Sequence, residues 1–328
     1  MTTITARFAA LVAVAAGLPV APTLSAQAHT HGRSAEQLGR VEFPVSCAAP
    51  AAERFGRAMA LLHSFWWESA ERAFQDVTAT DSTCAMGYWG LALTYWRNPI
   101  AGGPGPADLG RGQEAARRAA ALGGRTPRER DYIAAAAALY GDTGTVPNIA
   151  RLRKYREAME GVHTRNPDDP EAALLLALAL TASAPAGDTT FAQQKRAVAL
   201  LNPLFRAQPE HPGLAHYIIH ANDSPQLAAL GVEAARRYTE IAPSAPHAQH
   251  MPSHIFVRLG LWDDVIRSNR ASYDAVGPRP ALTADQLHAM DYMVYAYLQG
   301  GQDRAATAVV AEGQADTAAS PQQALVAA

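Results

Sequence analysis

Cysteine is nearly missing from this chain: 328 residues hold only Cys47 and Cys84. Neither stands directly after the N-terminal apolar run, so a lipid-anchored form is not expected. Aromatic residues make up only 7%. β-Branched runs are few and alanine dominates the apolar residues, which favours closely packed helices over sheets. No charge of one sign accumulates. Lys and Arg number 28 against 30 Asp and Glu, for a net charge of -2, and no basic cluster stands out. Nucleic acid is therefore excluded as the main partner. Nucleophile and phosphate motifs are absent as well. There is no Gly-x-Ser-x-Gly, no His-Glu-x-x-His, and no Lys-Ser/Thr after the glycine loop at Gly102-Gly103-Pro104-Gly105. An enzyme built on this sequence would have to depend on a metal.

The N-terminus has the layout of a secretory signal peptide over residues 1–28. Arg7 supplies the positive end, Phe8 to Leu18 the short apolar core, and Ala26-Gln27-Ala28 a small-x-small cleavage site. An uncleaved anchor is the alternative. No later run is apolar enough to span a membrane, so the expected location is periplasmic or secreted. In that oxidising setting an even pair predicts a Cys47–Cys84 disulfide, with two separate buried thiols as the alternative. Residues 29–45 read as a disordered segment, 46–314 as one helical domain, and 315–328 as a frayed tail.

Within the domain, apolar residues recur at helical spacing over Ala51 to Leu62, Ser69 to Thr78, Gln113 to Leu122, Ile149 to His163, Glu171 to Thr181 and Phe191 to Ala207. Thr126-Pro127-Arg128-Glu129 is a capping box with proline in the first turn. Ala58, Ala70, Phe74 and Val77 fall where a helix–turn–helix repeat of 34 residues places its small and aromatic core residues, and Pro209 and Pro243 stand 34 residues apart. The domain thus resembles the tetratricopeptide repeat (TPR) family. Its runs His63-Ser64-Phe65-Trp66-Trp67-Glu68, Cys84-Ala85-Met86-Gly87-Tyr88-Trp89-Gly90 and His216-Tyr217-Ile218-Ile219-His220 resemble a group of exported bacterial TPR proteins. The expected fold is all-α, a TPR-like α-solenoid of about thirteen or fourteen helices. The apolar stripes alone also permit a compact all-α toroid.

Histidine is concentrated where other motifs are missing. His250 and His254 are four residues apart, with His247 three before, so a helix puts all three on one face. His216 and His220 repeat that spacing one unit upstream, and His288, Asp291 and Tyr295 recur downstream. Pro252 either kinks this helix between His250 and His254 or starts it. The TPR resemblance implies that His63, Trp89, Trp96, Arg97, His247, His288, Asp291 and Tyr295 line a concave ligand groove. His216, His220, His250 and His254, or three of these histidines plus Asp223 or Asp291, are expected to converge from neighbouring repeats on one transition-metal ion (Zn, Cu or Fe), with His247, His288 and Asp291 at the rim. Packed, hydrogen-bonded histidines are the alternative. The expected function is an exported binding or scaffold protein whose His-rich groove takes a peptide, a small ligand or a metal. The competing reading is a metal-dependent hydrolase or oxidoreductase using the same cluster.

Overall fold

Proline and glycine punctuate the chain into helices, and the computed structural model follows that punctuation. It describes residues 36–141, 146–279 and 281–314. The expected signal peptide and C-terminal tail lie outside the described residues. All regular structure among the described residues is helical: α1 (Ala49–His63), α2 (Trp67–Thr80), α3 (Ala85–Tyr95), α4 (Pro106–Leu122), α5 (Pro127–Tyr140), α6 (Asn148–Arg165), α7 (Pro170–Ala182), α8 (Ala192–Ala207), α9 (Pro212–Asn222), α10 (Val232–Ile241), α11 (Pro246–His250), α12 (Pro252–Leu259), α13 (Trp262–Val276), α14 (Ala284–Gln299) and α15 (Asp303–Gln314), with one 3-10 turn at Ala228–Gly231. None of these helices is long and apolar enough to cross a membrane.

Local chemistry explains the boundaries. Helices α4, α5, α7, α9, α11 and α12 begin with proline in the first turn, where the missing N–H is not needed. The Thr126–Glu129 capping box is formed in both directions. Gly260 ends α12 in a left-handed conformation (φ 69°), which a glycine adopts without the Cβ clash other residues suffer.

Each helix packs on the next in sequence, and the first helices of successive pairs also meet: α1 with α3, α3 with α5, and α7 with α9. In addition α1 packs against α9. That contact needs a close approach at Gly213, where a Cβ would lie 2.9 Å from the His63 ring. The α1–α9 contact matters below, because it carries α1 to the histidines of α9. One hydrophobic cluster runs from Leu38 to Ala296, and a smaller one under α14 and α15 gathers Leu282, Met290, Met293 and Val309.

Residues 37–45 correct the sequence expectation of disorder. Leu38, Val41 and Phe43 are buried, the Arg40 amide donates to the Glu210 carbonyl at 2.9 Å, and the Ser244 amide donates to the Gln37 carbonyl at 3.2 Å. Three apolar side chains in six residues, each finding a partner in the core, overcome the ordering entropy of this strap.

Cys47 and Cys84 are joined, tying the segment before α1 to the cap of α3 across a separation of 37 residues. Closing a loop of that length stabilises by about 4 kcal/mol on the chain-entropy relation. Replacing both cysteines with alanine should therefore lower the urea midpoint by the equivalent of about 4 kcal/mol. An unchanged midpoint would show that the bridge contributes nothing.

Candidate metal centre

Four helices deliver the histidines. α9 carries His216 and His220 at a spacing of one turn. α11 carries His247 and His250. Met251 keeps helical dihedrals (φ -53°, ψ -35°), so α12 follows with only a local break at Pro252, and His254 stays on the same side. α14 adds His288. The middle segment divides its histidines between its neighbours. One ring nitrogen each of His216, His220 and His247 lie within 4.8 Å of one another, and the same holds for His250, His254 and His288. The two triads adjoin, with ring centroids 6.0 Å apart between His247 and His250 and 6.3 Å between His220 and His254.

The protons can be placed from the hydrogen bonds. His216 Nδ1 lies 2.6 Å from the His63 backbone carbonyl, which only accepts, so Nδ1 carries the proton and Nε2 a free lone pair. Asn269 Nδ2 donates to the Val265 carbonyl at 2.9 Å, which leaves its Oδ1 to accept from His250 Nδ1 at 2.7 Å. His254 Nδ1 donates to Asp223 Oδ2 at 2.8 Å, and Arg258 Nε donates to the other oxygen at 2.9 Å. Burial alone would raise the Asp223 pKa, but the His254 hydrogen bond and the His254 and Arg258 charges pull it down to about 2. It is a carboxylate at neutral pH.

A consequence follows for the opposite nitrogens. His250 Nε2 and His254 Nε2 are 3.0 Å apart. With both Nδ1 atoms protonated, two lone pairs face each other, and only a proton or a cation between them makes that favourable. Two nitrogens on a tetrahedral ion with 2.0–2.1 Å bonds stand about 3.3 Å apart. In the first triad the Nε2 atoms of His216, His220 and His247 are all buried without a hydrogen-bond partner. A carbonyl, an amide and a carboxylate each hold one ring N–H and aim the other nitrogen inward, which is how proteins orient metal-ligating histidines.

Burial lowers the pKa of His216, His220, His247 and His250 well below the ordinary value, and the neighbouring imidazoles lower it further. All four are neutral at pH 7, the form that binds a metal. Two aromatic rings cover the triads. Phe65 lies 4.4 Å from the His216 ring, 5.6 Å from His247 and 5.7 Å from His220. Tyr292 lies 4.8 to 5.4 Å from His250, His288 and His254.

A third group, His63, Glu171 and His211, is buried, and its hydrogen bonds leave only His211 Nδ1 without a partner. His63 Nε2 donates to Glu171 Oε2 at 3.1 Å, His211 Nε2 to Oε1 at 2.8 Å, and Tyr217 Oη donates to His63 Nδ1 at 3.0 Å. Burial would raise the Glu171 pKa, but the two histidines hold it well below the carboxylate range. With both Glu171 oxygens and both His63 nitrogens engaged, this network braces α1 against α7 and α9. Through the His63 carbonyl it also orients His216.

The sequence expectations redistribute accordingly. His247 and His288 complete the triads and are not rim residues, because the middle segment sits between α9 and α14 and turns a histidine to each. His63 is buried in the Glu171 network. Trp89 is buried among Phe43, Phe55 and Tyr132, with centroids 5.3 to 6.4 Å away, so its indole is not free to line a groove. Trp96 is buried against Tyr140. Arg97 is paired with Asp108 and Glu71. Asp291 and Tyr295 are exposed and belong to neither triad. Asn269, Glu171, Phe65 and Tyr292 carry no motif and were invisible before the helices were placed. No family model and no curated protein matches this chain.

A histidine whose pKa is lower folded than unfolded binds fewer protons in the native state, so acid favours unfolding. The metal-free protein should lose stability as the pH falls below the ordinary histidine value of 6.5. The loss is at most about 1.4 kcal/mol per buried histidine for each pH unit. Glu171 adds its own loss below the ordinary glutamate value of 4.5. Urea midpoints at pH 7.5 and pH 5.5 check this (both values chosen to bracket the histidine range, roughly). Equal midpoints would mean the imidazoles are not held neutral.

Proposed function

We propose that this chain is an exported metal-binding protein, in which a TPR-like helical scaffold holds two transition-metal ions side by side, one in each histidine triad. The observation that carries this reading is the arrangement of ring nitrogens. Six imidazoles bring one ring nitrogen each into two triads, three of the rings are oriented by a carbonyl, an amide and a carboxylate, and three buried Nε2 atoms have no hydrogen-bond partner. Six neutral nitrogen donors with no thiolate suit zinc, copper or iron and do not suit calcium or magnesium. The disulfide supports an oxidising compartment.

The three-ligand count also favours a second reading, a metal-dependent enzyme. Structural metal sites are closed by four protein ligands, whereas catalytic ones keep a position open for water or substrate. Each triad leaves such a position. The peptide-groove reading is weaker, because Trp89 and Trp96 are buried.

Protein purified without an affinity tag should take up two zinc or copper ions per chain, one per triad. The pair His216→Ala and His220→Ala should remove one ion, and the pair His254→Ala and His288→Ala the other, with helical circular dichroism retained. A folded wild-type protein that takes up no metal would overturn the proposal. So would either double variant that keeps both ions.

A further inference from the structure

The turn after α1 breaks a local rule. The Trp66 amide donates to the Leu61 carbonyl and the Phe65 amide to the Leu62 carbonyl, both at 3.0 Å. This is the helix-ending motif whose left-handed position is usually glycine. Here that position is Phe65, at φ 51°. A left-handed non-glycine residue costs about 1–2 kcal/mol. Such strain persists where the side chain is needed at that spot. Arg97 repeats the feature after α3, at φ 60°.

Both residues line the same pocket. Its other walls include Leu62, Trp96, Leu175 and Tyr217, and its lining is almost wholly apolar. The pocket is a cavity of about 40 Å³. Water held in such a space needs two to four polar partners, and an apolar cavity stays dry. Benzene requires roughly 150 Å³, so aromatic guests are too large. The charged residue on the cavity wall, Arg97, is already paired with Asp108 and Glu71, so a charged guest finds no free counter-charge there. Trp96 Nε1, on a residue of this wall, is buried without a hydrogen-bond partner.

Phe65 is therefore a partition. It lines the cavity together with Trp67, which stacks on it at 4.5 Å, and the same ring touches all three histidines of the first triad. We propose that the cavity behind Phe65 admits a small, neutral, mainly apolar molecule of about the size of dioxygen to the open position of the metal in the His216–His220–His247 site. The proposal rests on the metal-centre reading above and names the ligand class of that site. Displacement of one phenyl ring connects cavity and metal, and the glycine-like backbone at Phe65 is where the chain has invested strain to put that ring.

Carbon monoxide bound to Cu(I) is the probe. Protein loaded anaerobically with Cu(I) should form a carbon monoxide adduct. Ala179→Leu and, separately, Leu178→Phe fill the cavity at residues that line it. Each should slow carbon monoxide association about tenfold while copper content and the carbon monoxide stretching frequency stay unchanged. Phe65→Gly, which suits the left-handed backbone, should speed association about tenfold. Should both filled variants fail to fold, xenon pressure on the wild type replaces them and should slow association in the same way. Rates unaffected by filling or xenon would overturn the proposal and make the cavity a packing gap. A copper-loaded protein that binds no carbon monoxide would overturn it too. Failure to take up Cu(I) at all would instead sink the metal-centre reading.

Discussion

A buried imidazole has two nitrogens to satisfy, and in His216 an acceptor holds one while the other has no hydrogen-bond partner. That constraint organises the site. An acceptor that holds one ring N–H fixes the tautomer and the ring plane together. The His63 carbonyl does this for His216, Asn269 for His250 and Asp223 for His254. The remaining nitrogens are then committed to point at each other. In hydrocarbon-like surroundings each unmet nitrogen costs about 1–3 kcal/mol. A cation that accepts several of them at once removes that cost, and it binds the folded state alone, so metal uptake would add directly to stability.

The acceptors are themselves held from farther away. The His63 carbonyl is in place because the His63 ring is locked between Tyr217 and Glu171, and Glu171 is locked by His211. These residues come from α1, α7 and α9, so the α1–α9 packing that Gly213 permits is also what presents a carbonyl to His216. Removing Glu171 would strand two buried imidazoles, a loss of the size that broken buried pairs show, about 3–5 kcal/mol. Asn269 is tied in turn to the Val265 carbonyl on α13. The scaffold thus reaches the metal centre through hydrogen bonds two residues deep.

Helices and histidine faces were legible in the sequence because both depend on short-range spacing. The Thr126–Glu129 box, the proline starts and the four-residue steps at His216/His220 and His250/His254 all formed. What spacing could not supply was the partition of the histidines. Four on one ion was expected, whereas the middle segment gives His247 to one neighbour and His250 and His254 to the other. That depends on how α9 and α14 flank it, which no local pattern encodes. The aromatic groove failed for a similar reason. Trp89 faces a strap, residues 37–45, that reads as disordered in the sequence, and Phe43 from that strap packs against the indole. Asn269 and Glu171 were missed because one polar residue in a helix carries no signal until its partner is known.

Two departures from local consistency meet at Phe65. A left-handed Phe65 stands where glycine is favoured, and the three unpartnered Nε2 atoms of His216, His220 and His247 belong to the rings it touches. Either departure alone could be a packing accident tolerated by a large core. Sequences that fold well tend to agree with themselves at every level, and the exceptions collect at functional sites. Here the strained residue and the unmet nitrogens meet at one phenyl ring, whose centroid lies 4.4 to 5.7 Å from those of the three imidazoles. A purely structural account would have to explain each cost separately. A metal ion with an open position beside Phe65 explains both, since the nitrogens become ligands and the ring becomes the wall that controls what reaches them.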